Sequence, residues 1–79
     1  MYRVMRKYGR QVDYLSGWDD EFGTECIGDP NQAMLFGWLG HAESAAIRAN
    51  RECRGANGSE KPVDMVFSVI YTRPWERLV

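Results

Sequence analysis

Apolar positions recur along the chain with the period of a strand at both ends and the period of a helix between them. Residues 2–7, Tyr-Arg-Val-Met-Arg-Lys, combine a β-branched and an aromatic residue without a breaker and predict a strand. Gly9 predicts a turn. Residues 11–17 resume the alternation, with Val12 and Tyr14 on one face and Asp13 and Leu15 on the other, so the two strands form a hairpin. Residues 18–23 place three acids between two aromatics and are expected in a loop, and residues 24–28 predict a short third strand, at an edge.

Asp29-Pro30-Asn31-Gln32 is the clearest local signal. An Asp cap, Pro at the first helical position and Gln three residues after the cap mark a helix start. Gly37 and Gly40 follow too soon for a long helix, so residues 30–36 read as a single turn that drops Phe36 into the core. The main helix is expected over residues 41–54. Ala42, Ala45, Ala46, Ala49 and Cys53 form one narrow stripe of small side chains, with Ile47 well off it. Such a helix lies close to a sheet, and the sheet must supply the large core residues. Glu43 near its start and Arg51 and Arg54 near its end suit the helix dipole, and Gly55 is a stop. After a loop over residues 55–62, residues 63–72 predict the strongest strand. Val63, Met65, Phe67, Val69 and Tyr71 share one face, while Val66 and Ile70 join Asp64, Ser68 and Thr72 on the other. A strand apolar on one face and partly on the other suits a central position or pairing with a second chain. Pro74 ends it, and Trp75 and Leu78 are expected to fold back as a tail. The order β-β-β-α-β predicts an α+β fold: an antiparallel sheet of three to four strands with one main helix packed on one face.

With 79 residues the chain makes one small domain with a thin core. A hydrophobic fraction of 44% excludes a disordered acidic tail. No apolar run reaches the length of a membrane span, so no membrane partner is expected. Cys26 and Cys53 are too few for a disulfide scaffold, which fits free thiols and a cytoplasmic location. Together with His41 they are the only soft metal ligands, and their spacing matches no metal motif. The serines sit in no nucleophile elbow, and the glycines make no phosphate loop. The sequence therefore predicts a non-enzymatic protein without cofactor or metal.

Charge is more informative. The net of −1 conceals opposite blocks. Residues 11–47 contain no Lys or Arg but carry Asp13, Asp19, Asp20, Glu21, Glu25, Asp29 and Glu43. Arg3, Arg6, Lys7 and Arg10 precede this stretch, and Arg48, Arg51 and Arg54 follow it. An acidic block steers a protein toward a basic surface. Asp19, Asp20, Glu21 and Glu25 are the expected partner-binding carboxylates, with Trp18 and Phe22 as anchors because aromatic residues dominate interface hot spots. Trp38 lies beside the same stretch. Arg3, Arg6 and Arg10 with Tyr2 and Tyr8 could stack and pair with nucleic acid, but without a domain-wide basic excess direct nucleic-acid binding is not expected.

Tyr2, Tyr14-Leu15-Ser16-Gly17, the run Asp29 to Phe36 and His41-Ala42-Glu43-Ser44-Ala45-Ala46 resemble small phage and prophage modules over about residues 2–70. In these, a hairpin precedes Asp-Pro-x-x-Ala-x-x-Phe, a helix opened by x-Ala-Glu-x-Ala and a last strand. The resemblance implies a sheet-plus-helix fold, an origin in a mobile element and no known active site. Such proteins include anti-CRISPRs, small non-enzymatic inhibitors. Many of them bind the nucleic-acid-handling surface of a type I surveillance complex in the bacterial host cytoplasm and exclude target DNA. The acidic block over residues 13–29 is similar in kind to what that competition uses, as a local patch rather than wholesale DNA mimicry. The alternative expectation is a small phage structural or assembly accessory protein that dimerises through its last strand.

Overall fold

The computed structural model describes residues 1–73. The expected tail with Trp75 and Leu78 lies outside the described residues. Strands β1 (Tyr2–Tyr8), β2 (Gln11–Asp19) and β3 (Gly23–Ile27) are followed by a 3-10 turn at Pro30–Gln32, helix α1 (Leu39–Glu52) and strand β4 (Met65–Tyr71). The four strands form one antiparallel sheet in the order β3-β2-β1-β4, with α1 on one face. The α+β architecture is as the hydrophobic pattern predicts, but β4 lies at an edge rather than in the centre. It starts at Met65, not Val63, because the chain turns there: Val63 is 96% exposed, and the Met65 N–H donates to the Pro62 carbonyl at 3.0 Å.

Val4, Leu15 and Phe67 rise from the sheet against Ala45, Ala46, Ala49 and Cys53 of the helix side. The small-residue stripe brings the helix backbone down onto these larger side chains, and Ile47, off the stripe, is exposed. The helix starts and ends two residues earlier than the stripe alone suggests, with Leu39 first and Cys53 as its C-cap. Asn50 bridges helix and sheet. Its side chain accepts from the Phe67 N–H at 2.9 Å and donates to the Phe67 carbonyl at 3.0 Å.

Two departures from simple alternation shape the molecule. The β2–β3 register shifts between Leu15 and Gly17, and the Ser16 hydroxyl donates to the Glu25 carbonyl at 3.1 Å. This bulge reverses the facing of β2. Before it Leu15 points to the helix; after it Trp18 does. The strand therefore continues through Trp18 and Asp19, which the pattern had assigned to a loop. The second departure lies between β1 and β2, whose pairing stops at Met5 and Tyr14. Residues 34–36 fill the split: Met34 N–H donates to Leu15 O at 3.0 Å, and Phe36 pairs with Tyr2. Phe36 reaches the core as expected, although on an extended segment, since the helical turn stops at Gln32.

Candidate functional site

The expected partner-binding residues gather at the tip of the β2–β3 hairpin. Asp19 ends β2, and its carboxylate accepts from the Glu21 and Phe22 N–H groups, each at 3.4 Å. An Asp side chain that closes a turn on its own backbone restricts the tip's conformations. Gly23 then opens β3 with φ of 80°, its α-carbon against the last turn of α1. The Phe22 carbonyl accepts from the Arg54 N–H at 2.8 Å. The tip is thus capped from within and clamped to the end of the helix.

That clamp brings the separate charge blocks together. Trp18, Asp19, Asp20 and Glu21 share a hollow of about 250 Å³ with Arg48, Glu52 and Arg54. The Arg48 guanidinium lies 3.8 Å from the Trp18 ring centre, and its Nε donates to Glu52 at 2.7 Å. This hydrogen bond holds the Glu52 carboxyl below its ordinary range. Trp18 is half-buried and packs on the core, so its indole stabilises the fold and gains a cation–π partner. Phe22, 42% exposed, is the accessible aromatic of the tip. Glu25 is exposed on the sheet face opposite Trp18, across from Gly17.

Of the seven carboxylates in the acidic stretch, three have local duties. Asp13 pairs with Arg6, whose Nε donates at 2.7 Å, and this contact raises the guanidinium pKa above its usual value. Asp19 caps the tip. Asp29 caps the 3-10 turn by accepting from the Asn31 N–H at 2.9 Å. Asp20, Glu21, Glu25 and Glu43 are exposed and accept no side-chain hydrogen bond among the described residues. Only Asp13 is thus neutralised by a cation among the described residues, and of the four free exposed carboxylates Asp20 and Glu21 stand together at the tip. Two arginines of the possible nucleic-acid surface are likewise engaged: Arg6 with Asp13, and Arg3, 6% exposed, through Nε to the Pro30 carbonyl at 2.7 Å.

Cys26 and Cys53 line a second hollow, of about 530 Å³, with Arg6, Phe22, Arg54 and Met65. Both thiols are free. The Thr24 hydroxyl donates to Cys53 Sγ at 3.3 Å, and Met65 Sδ lies 3.9 Å away. Burial pushes the Cys26 thiol up to about 11, so it is protonated and weakly nucleophilic at neutral pH. His41 lies in the first turn of α1 and Cys53 just past the last. The helical rise puts them roughly 18 Å apart along the axis, so they form no dyad. Among the described residues no three His, Cys, Asp or Glu side chains converge as a metal site, and no helix is long and apolar enough to cross a membrane.

Trp38, which the sequence places beside the acidic stretch, is joined by two exposed leucines that the sequence did not single out, Leu35 and Leu39. The tryptophan is 73% exposed and stacks on His41 with ring centres 5.7 Å apart. The signal was available: with Met34 and Phe36 turned inward, alternation turns Leu35 outward. Comparison with known proteins gives no guide to the site, since no family model, curated protein or solved structure matches the chain.

Proposed function

We propose that the protein is a stoichiometric, non-enzymatic inhibitor that docks its β2–β3 tip into a Lys/Arg-lined nucleic-acid groove of a host defence complex. A type I CRISPR surveillance complex is the expected target. The carrying observation is the exposed Asp20-Glu21-Phe22 tip, held by the Asp19 cap and the close seat of Gly23 on α1. A pre-ordered tip loses little conformational entropy on docking. Its carboxylates take the place of phosphates on basic side chains, and the Phe22 ring supplies apolar contact.

The test is protection of a CRISPR-targeted phage in cells with an active type I system. Expression of the wild-type protein restores plaque formation, and the Asp20→Lys, Glu21→Lys double variant does not. Asp19 is left intact, because its loss would undo the turn itself. Equal protection by the double variant removes the tip from the account, and no protection by the wild type removes the target. The second reading, an assembly accessory that dimerises through its last strand, has the edge position of β4 in its favour. Its difficulty is the occupancy of that edge.

A further inference from the structure

An edge strand normally presents a row of free N–H and C=O groups on which another strand can pair. In β4 the direction of these groups follows from the ladder. The Thr72 N–H donates to Met1 O at 2.8 Å, toward β1. Antiparallel alternation then points the backbone groups of Ile70, Ser68 and Val66 toward β1, and those of Tyr71, Val69, Phe67 and Met65 away from the sheet.

The four outward groups of Met65 and Phe67 all have partners that are not strands. The Met65 N–H donates to Pro62 O at 3.0 Å, and Met65 O accepts from Lys61 Nζ. The Asn50 amide takes both groups of Phe67, accepting at 2.9 Å and donating at 3.0 Å. The amide therefore copies the hydrogen bonding of a neighbouring strand while remaining on the helix. Val69 and Tyr71 keep outward groups with no partner among the described residues, and Tyr71 is 63% exposed.

We infer that the β4 edge is a latent surface for a second copy of this chain, and that Asn50 is the guard that keeps it closed. The remaining open stretch, Val69 to Tyr71, is too short for a stable ladder by itself. With Phe67 released, the open edge runs from Phe67 to Tyr71. A second β4 could then pair antiparallel with it, each strand offering the same groups to the other, as a two-fold interface requires. About a two-fold axis at Val69, the outward groups of Val69 would pair with those of its own counterpart, and the outward groups of Phe67 with those of Tyr71 in the second copy. This inference stands apart from the docking tip, which lies at the opposite edge of the sheet.

The experiment measures molar mass by light scattering across a concentration series for the wild type, Asn50→Ala and Asn50→Leu, with circular dichroism as the check on fold. The wild type is expected as a monomer. Both variants are expected to keep their fold and double in mass as concentration rises. Adding Val69→Pro to either variant should return it to a monomer, because it removes an outward N–H and no bond to β1. In the wild type, hydrogen exchange should find the Phe67 amide protected and the Val69 amide fast. Folded variants that stay monomeric overturn the inference, as does a dimer indifferent to Val69→Pro or a Phe67 amide that exchanges as fast as Val69. Loss of fold in both Asn50 variants also overturns it, since Asn50 would then hold the helix to the sheet rather than guard an edge.

Discussion

Replacing Gly23 with Ala tests the clamp on which the docking tip depends. The added Cβ would lie 2.0 Å from the Glu52 carbonyl oxygen, 2.6 Å from its carbon and 3.1 Å from the Cys53 nitrogen. All three are backbone atoms, so no rotamer change relieves the overlap. Two costs add. Holding an L-residue in the left-handed region costs about 1–2 kcal/mol. Moving the strand or the helix end to admit the methyl costs about 1–3 kcal/mol, as overpacking does elsewhere. Against the roughly 4–12 kcal/mol typical of a domain of this length, the loss is severe. Gly9 provides an internal control, because its φ of 60° is also left-handed but nothing lies within 4 Å of its Cβ position. Gly9→Ala therefore carries the first cost alone. Each kcal/mol moves the melting temperature of a small domain by roughly 4–8 °C. Thermal unfolding should thus place Gly23→Ala roughly 5–20 °C below Gly9→Ala. Equal melting temperatures would refute the close seat of the tip on α1.

The Arg6–Asp13 pair is three-quarters buried on both sides, with side-chain exposures of 25% and 26%, so Asp13→Ala strands a guanidinium. A double-mutant cycle on the pair should return a coupling of about 1–3 kcal/mol, and a value near zero contradicts the pairing. Alkylation of Cys26 in the folded protein, followed by peptide mapping, should be slow at pH 8 and accelerate only toward pH 11; a midpoint at the ordinary thiol value of about 8.5 contradicts its burial. Glu52 has a depressed folded pKa, so its pairing with Arg48 contributes above the unfolded carboxyl range and is lost as pH falls through the folded value. Carboxyl titration by NMR should find Glu52 low in the wild type and back at its ordinary value in Arg48→Ala. The same variant should shift Trp18 fluorescence to the red, and no change in either signal removes the Trp18–Arg48–Glu52 stack.

Element types were legible because period and punctuation agreed over most of the chain. The alanine stripe identified the buried helix face, and Asp29-Pro30 identified the 3-10 start. The errors have local causes. Period counting assumes an unbroken pleat, and the Ser16 bulge breaks it. One inserted residue turned Trp18 toward the helix, where it is half-buried against the core. The position of β4 depends on which strands pair, and hydrophobicity on two faces does not separate a central strand from an edge strand covered in part by a helix. The tip acids were found by composition alone. The arginines beside them were not, because Arg48 and Arg54 lie far along the chain and come to share a hollow with the tip only through the seat of Gly23 on α1. Asn50 gave no sequence signal, since a polar residue beside an alanine stripe reads as solvated.

The central claim is competition between the tip and nucleic acid for one basic groove. Fluorescence anisotropy of a labelled target duplex on a purified type I surveillance complex measures that competition directly. Wild-type protein added in stoichiometric amount should displace or exclude the duplex, while the Asp20→Lys, Glu21→Lys variant, folded by circular dichroism, should leave it bound. Retained duplex in the presence of the wild type, or equal displacement by both proteins, would contradict the account.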